Sequence, residues 1–210
     1  MTTFLIDAGH GGIVDGKYVT PGKRSPKFDD GSQLFEGVYN RQIAKKIISL
    51  CTENGIPHVE ICVAEQTDIS LSDRVRRAND FYKTSSKNCV YISLHGDAAG
   101  DGVNWHQASG ISVYTSPGQT KSDIFASLAI DELQLKFGSE VRWRFDNTDK
   151  DEDKEENFYV LRETLMPAVL GEHGFMTNKE EATKMLTDAW QCKVAEAYLE
   201  AMKKWNKLNS

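Results

Sequence analysis

The sequence predicts a single α/β domain in which a mixed, mostly parallel sheet is flanked by helices on both faces. Short apolar runs that end at glycines alternate along the chain with stretches of helical periodicity, the pattern of strands joined by crossover helices. The 210 residues fit within one domain, and no internal segment has the composition of a long flexible linker. Hydrophobic residues make up 40% of the chain and charged residues 27%, so a full core can form.

The predicted strands are short apolar runs, and several of them lead directly into polar residues. The first run enters a glycine-rich turn that holds His10, and two later runs lead to His95 and Glu172. In open α/β sheets the strand ends carry the chemistry, so these three residues are candidates for a site. The predicted strands cover residues 4–6, 58–63, 89–94, 110–114, 141–145 and 168–170.

Helical spacing of apolar residues predicts the helices that connect these strands. The first helix begins at Glu36, a capping-box pattern at Ser70 starts the second, and Gly138 ends the third. Exposed loops are expected over residues 16–31 and over residues 146–157, where acidic residues and lysines are densely mixed. The predicted helices cover residues 36–51, 71–82, 122–137, 179–186 and 187–206.

The charge balance argues against a nucleic-acid-binding protein. The formal net charge is -6 and the isoelectric point is near 5.4, whereas phosphate neutralisation requires clustered lysine and arginine. The short basic groups in this chain are scattered, which is typical of solvated faces.

The sequence also bears on compartment and on redox chemistry. No stretch is apolar enough to span a bilayer, so membrane insertion is not expected. The first residues lack the basic region and apolar run of a signal peptide, so we expect synthesis in the cytoplasm and another route to any target outside the cell. The four cysteines form no C-x-x-C pair, and reduced, buried thiols are expected.

Two histidines and one glutamate beside glycine-rich turns suggest a metal site. Catalytic zinc sites use three protein ligands drawn from histidine, carboxylate and cysteine, and they keep one position open for water. His10, Glu36 and His95 have this chemistry, and the neighbouring glycines allow close approach of the backbone to a metal and a substrate. Each signal is weak when taken singly, because a histidine after a strand is commonly a hydrogen-bonded structural residue.

Glu172 is a candidate general base. It follows an apolar strand and precedes Gly174, and burial there would raise the proton affinity of its carboxylate. The alternative is a carboxylate that caps a helix or stabilises a turn.

These residues lie in motifs that resemble those of the zinc-dependent N-acetylmuramoyl-L-alanine amidases of the amidase-3 type. The motifs follow the order of that family from about residue 3 to residue 205. They are LIDAGHGG at 5–12, FEG at 35–37, a segment at 71–79 with Arg74, Ala78 and Asn79, ISLHGDA at 92–98, and PAVLGEHGFMTN at 167–178.

The resemblance implies a function for each matching residue. His10, Glu36 and His95 would bind one Zn²⁺ ion, and Glu172 would activate the attacking water as general base. The implied substrate is peptidoglycan, cut at the amide between the lactyl group of N-acetylmuramic acid and L-alanine. Residues 1–210 would then be one catalytic domain with no separate wall-binding module, in a wall-lytic enzyme that resembles an endolysin. Nothing in the sequence indicates an oligomeric state.

Three features depart from the family pattern. His173 follows the expected base where a small or hydroxyl residue is more usual, and Asp97 stands where asparagine is common. His173 either faces away from the site or assists in stabilising an oxyanion. The segment 17–34 is longer than expected; it is either a surface insertion or a wall of the substrate groove, in which Lys23 or Arg24 would pair with a stem-peptide carboxylate.

Two other functions fit the same residues. A zinc peptidase of similar fold would cut within stem peptides, because water activation by zinc does not select one amide bond. A non-catalytic wall-binding protein could keep the fold after losing its activity. Zinc suits the mixed set of histidine and carboxylate ligands, and other first-row metals could also bind there.

Overall fold

The computed structural model describes residues 1–146 and 151–209. Within these ranges the chain forms one six-stranded sheet, a two-stranded hairpin and six α-helices. The sheet strands are β1 (Thr3–Ala8), β4 (His58–Glu60), β5 (Cys89–Asp97), β6 (Ile111–Thr115), β7 (Lys154–Glu155) and β8 (Ala168–Phe175), and the hairpin strands are β2 (Ile13–Val14) and β3 (Lys17–Tyr18). The helices are α1 (Glu36–Glu53), α2 (Leu71–Thr84), α3 (Lys121–Phe137), α4 (Tyr159–Glu163), α5 (Lys179–Met185) and α6 (Asp188–Leu208).

The sheet is mixed and mostly parallel, as the sequence predicts. Its strand order is β4-β1-β5-β8-β6-β7. Strands β4, β1, β5 and β8 run parallel to one another, whereas β6 runs antiparallel to β8. The carboxyl ends of β1, β5 and β8 therefore meet at one edge of the sheet.

Helices cover both faces of the sheet, which confirms the predicted class. Side chains alternate between the faces along β5, so that Val90 and Ile92 belong to the larger core cluster and Tyr91 to the smaller one. The larger cluster packs the sheet against α1, α3 and α6, and the smaller cluster packs it against α2 and α4.

The predicted helix boundaries depend on local capping chemistry and are confirmed. The Ser70 hydroxyl accepts a hydrogen bond from the Asp73 amide at the start of α2. Thr120 and Asp123 form a reciprocal capping box at the start of α3, and Gly138 ends that helix.

Two predicted strands are wrong in extent. Residues 141–145 form no strand in the described structure: Trp143 makes an isolated bridge to Ile111, and the rings of Trp143 and Phe145 stack on each other. The bridge to Ile111 covers only the start of β6, and β7 pairs with β6 further along, at Tyr114 and Thr115. The strand predicted over residues 58–63 ends at residue 60, after which the buried residues leave the sheet.

The acidic segment predicted as a solvated loop over residues 146–157 contributes to the fold. Asp153 is 1% exposed and accepts a 2.6 Å hydrogen bond from the Thr115 hydroxyl. Strand β7 follows it directly, and residues 147–150 of this prediction lie outside the described residues. The prediction of a solvated loop, which rests on charge density, therefore misses this buried carboxylate and its hydroxyl partner.

Two further expectations concern the membrane and the cysteines. None of the helices in the described ranges has the length and apolar character needed to cross a bilayer. All four cysteines are free thiols; Cys51, Cys62 and Cys89 are buried as expected, whereas Cys192 is half-exposed.

Candidate active site

The site lies at the sheet edge where β1, β5 and β8 end. His10 follows β1, and the Gly9 amide extends the pairing by donating a 3.0 Å hydrogen bond to the Leu94 carbonyl on β5. His95 on β5 and Glu172 on β8 are register partners, so their side chains project from the same face of the sheet. Both strands continue past these residues, to Asp97 and Phe175, so His95 and Glu172 lie within strands rather than after them.

Three side chains converge at this edge. His10 Nε2 lies 3.1 Å from Glu36 Oε1, and His95 Nδ1 lies 3.0 Å from the same oxygen. The two imidazole rings meet edge to face with centroids 5.0 Å apart. One ligand atom from each of the three residues lies within 4.8 Å of the others, an arrangement in which they could hold one metal ion.

Gly9 is required because the two histidines approach so closely. A Cβ atom built at Gly9 would overlap the imidazole ring of His95. Any side chain at this position would therefore push the two rings apart.

The segment 17–34 places Glu36 beside the histidines. Helix α1 has no side-chain cap at its start, and the Glu36 amide instead donates a 3.0 Å hydrogen bond to the Lys23 carbonyl. The next amide, of Gly37, donates to the Tyr18 hydroxyl at 3.0 Å. A Cβ atom at Gly37 would overlap the carbonyl of Gly11, so the helix start and the His10 turn are in direct contact. The segment is thus part of the site.

In the trio formed by His10, Glu36 and His95, the electrostatics favour a charged Glu36 beside a neutral His95. Burial alone would raise the pKa of Glu36, but hydrogen bonds from His10 and His95 hold it well below its usual value. Burial lowers the pKa of His95, although Glu36 opposes this shift. A deprotonated carboxylate and a neutral imidazole are the forms in which these residues ligate metals.

The donor set fits a zinc ion. Oε2 of Glu36 is buried and has no hydrogen-bond partner within residues 1–146 and 151–209, which leaves one carboxylate oxygen available in the trio. Two imidazoles and one carboxylate form an established ligand set of catalytic zinc sites.

Glu172 is a second carboxylate beside the trio. Burial, reinforced by the negative charges of Glu36 and Asp97, raises the pKa of Glu172 well above its usual value. Its Oε2 atom is buried without a hydrogen-bond partner among the described residues. A carboxyl group of raised proton affinity next to a metal site has the chemistry of a general base.

A cavity of about 630 Å³ opens beside these groups. Its lining includes the polar residues His10, His95 and Glu172. It also includes apolar residues at the start of α2 and at α4, among them Leu71 and Tyr159, which the sequence did not single out.

Of the two cations predicted as substrate contacts in segment 17–34, Lys23 and Arg24, only one lines the cavity in the described structure. Lys23 lines the cavity together with Glu172. Both residues are exposed, but Arg24 bridges Phe35 through the backbone and does not belong to the described lining of the cavity. Of the two residues, Lys23 is therefore the one placed to meet a substrate in this cavity.

His173 faces away from the site. Its side chain is fully buried on the α6 side of the sheet, where Nε2 lies 3.1 Å from the Tyr198 hydroxyl and Nδ1 lies 3.2 Å from the His95 carbonyl. Burial lowers its pKa to about 3, so it packs as a neutral ring. This placement agrees with the first of the two alternatives and leaves His173 no contact with the cavity.

Comparisons with known proteins agree with this fold and identify its family. The family model described as N-acetylmuramoyl-L-alanine amidase matches residues 4–204. The sporulation-specific N-acetylmuramoyl-L-alanine amidase of Bacillus subtilis (strain 168) is 29% identical over 90% of this chain, and the endolysin of Bacillus phage SPP1 is 28% identical over 94%. This chain spans 62% and 63% of the length of those two proteins.

A solved structure extends the likeness to three dimensions. The crystal structure of an N-acetylmuramoyl-L-alanine amidase from Clostridium difficile 630 matches with a TM-score of 0.78 and 29% identity. The alignment covers 100% of this chain and 98% of that one. Since the family model covers nearly the whole sequence and the folds agree, the chain belongs to the N-acetylmuramoyl-L-alanine amidase family.

Proposed function

We propose that this protein is a zinc-dependent hydrolase that cleaves the amide between N-acetylmuramic acid and L-alanine in peptidoglycan. The observation that carries the proposal is the convergence of His10, Glu36 and His95, together with the cavity that His10, His95 and Glu172 line. Family membership supports the choice of this amide bond.

Each residue of the site has a definite part in the proposed reaction. His10, Glu36 and His95 would hold the zinc ion. When bound, zinc supplies Lewis-acid polarisation of the scissile carbonyl and makes water more acidic. Glu172 accepts a proton from the attacking water and then delivers it to the amine that leaves from L-alanine. Its raised proton affinity suits both steps, because the group must hold the proton between them.

The products distinguish this reaction from that of a zinc peptidase. We expect digestion of purified peptidoglycan to release intact stem peptides with L-alanine at the amino terminus, as measured by mass spectrometry. A chelator should abolish the release, and added zinc should restore it. Shortened peptides that remain attached to sugar would instead show cleavage within the stem peptide and would overturn the proposed bond specificity.

We also propose that the protein acts as a wall-lytic enzyme similar to an endolysin. The relative in Bacillus phage SPP1 supports this role. Addition of the zinc-loaded protein to purified cell walls should lower their turbidity. Wall binding without any loss of turbidity or release of peptide would indicate the non-catalytic alternative.

Lys23 is expected to bind a carboxylate of the stem peptide. Since it lines the cavity, replacement by alanine should raise KM by about tenfold, the loss expected for one charge-assisted hydrogen bond. Arg24→Ala is the matched control, because it removes the same charge from the neighbouring exposed residue. Steady-state kinetics on a soluble muropeptide would measure both variants. Equal KM values for Lys23→Ala and Arg24→Ala would show that Lys23 does not bind the substrate.

A further inference from the structure

The turn that carries His10 has a costly backbone conformation. His10 has φ of 63°, in the left-handed region that non-glycine residues rarely adopt. Such a conformation is unfavourable for a residue with a Cβ atom and persists where surrounding contacts enforce it. The conformation matters because it directs the imidazole of His10 toward Glu36.

Buried side chains hold three consecutive carbonyls of this turn. Arg74 Nη1 donates to the Ala8 carbonyl at 2.7 Å, and Arg74 Nη2 donates to the His10 carbonyl at 3.2 Å. Between them, the Asn40 amide donates to the Gly9 carbonyl at 3.1 Å. The two peptide groups that flank His10 carry the carbonyls of Gly9 and His10, so Asn40 holds the first and Arg74 the second, while Arg74 also holds the Ala8 carbonyl one peptide earlier.

Arg74 is itself fixed by a buried network. It is 2% exposed, and its Nη1 donates to Asp7 Oδ1 at 2.7 Å while its Nε donates to the Ile69 carbonyl at 2.9 Å. The other oxygen of Asp7 accepts from the Tyr91 hydroxyl at 2.7 Å and from the Ser93 hydroxyl at 3.2 Å. Four hydrogen bonds to the protein use most of the guanidinium donors. Arg74 thus has little capacity left to bind a substrate, although it borders the cavity.

We propose that Arg74 is a positioning residue that holds the His10 turn in the conformation required for metal binding, an inference that rests on the proposed zinc site. Arg74 acts through the peptide groups of Ala8 and His10, and Asp7 holds its guanidinium in place. The ligand turn is therefore set by the protein before the metal binds. Loss of the forked guanidinium weakens zinc binding.

The test is the zinc affinity of Arg74→Lys. Lysine keeps the positive charge near the metal and can still pair with Asp7, but its compact ammonium cannot reach both carbonyls of the turn in the guanidinium geometry. The dissociation constant of the metal-free protein for Zn²⁺ would be measured by competition with a chromophoric chelator. We expect it to rise by about 10- to 100-fold, the usual effect of losing a group that orients a metal ligand.

Arg77→Lys is the matched control. Arg77 lies on the same helix but donates to the Ile61 carbonyl and to Glu65, away from the His10 turn. The zinc affinity of the Arg77→Lys variant should therefore equal that of the wild type. The absorption spectrum of the Co²⁺ form should change in Arg74→Lys alone. A zinc affinity of Arg74→Lys equal to that of the control would overturn the inference. A wild-type protein that binds no zinc would overturn the proposed function as well.

A second measurement does not depend on the folding of a variant. In the metal-free wild-type protein, the amides of Gly9, Gly11 and Gly12, which donate to Leu94, Thr20 and Gln66, should already be protected from hydrogen exchange, because the protein holds the turn without zinc. Fast exchange in this segment that becomes slow only when Zn²⁺ is added would show that the metal orders the turn, and it would overturn the inference.

Discussion

Replacement of Glu172 by glutamine is expected to lower kcat for amide hydrolysis by about 10²- to 10⁴-fold, the range attributed to a positioned general base. Glutamine keeps the size of the side chain but cannot accept a proton from water. Zinc affinity should be unchanged, because Glu172 is not one of the three converging ligands. Steady-state kinetics and a zinc titration on the same preparation would separate the two effects.

The stability of the metal-free Glu172→Gln variant offers an internal check. Burial, reinforced by the negative charges of Glu36 and Asp97, raises the pKa of Glu172, so the fold gains little from a charge at this position and should tolerate an uncharged glutamine of the same size. The midpoint of thermal unfolding should therefore change little. Glu132→Gln is a suitable control, since Glu132 is also a buried glutamate but pairs with Lys204 on α6. A Glu172→Gln enzyme with the activity of this control would disprove the assignment of the base.

His95→Ala should abolish turnover by removing a zinc ligand. Loss of a direct ligand is expected to weaken zinc binding by more than the roughly 100-fold seen when a supporting residue is lost. The metal-free protein should also lose about 1–3 kcal/mol of unfolding free energy, because the buried Glu36 carboxylate loses one of its two imidazole partners. Zinc content after dialysis and thermal unfolding would measure these effects.

His58→Ala is the control for this variant. His58 is half-buried on β4, and its ring lies 3.0 Å from the Ile56 carbonyl, with no part in the ligand trio. Its zinc content and turnover should match those of the wild type. Full zinc occupancy in His95→Ala would contradict the proposed ligand set.

The sequence was most informative where the decisive interactions are local. His10 and His95 could be recognised because each follows an apolar run and has glycine beside it, and parallel strands bring such positions together. The start of α1 could be placed at Glu36 from its periodicity, but its contact with the histidines depends on segment 17–34 folding back. That contact uses backbone groups of Lys23 and Gly11, which no side-chain pattern reveals.

Competing partners for a sheet edge explain the errors in the fold prediction. Residues 141–145 have the composition of a strand, yet they pair with β6 only at Ile111, and the two-residue strand β7 pairs with β6 further along. Because β7 lies in an acidic segment, composition gave no reason to expect it there. The network of Asp7 and Arg74 was also hidden, although Arg74 belonged to a familial motif, because burial of an ion pair depends on tertiary packing.

The hydrogen bond from the Glu36 amide to the Lys23 carbonyl has a consequence for how this enzyme could be diversified. Lys23 lines the cavity and bonds through its backbone to the start of α1, so changes of loop conformation here would alter the cavity lining and the position of Glu36 together. At the tip of the loop, the Phe28 amide bonds to the Ser32 carbonyl, and Asp29 and Asp30 are largely exposed. The tip does not combine a contact with the cavity and a contact with the start of α1 in this way. Loop exchange between homologues would thus be tolerated at the tip and resisted at its base.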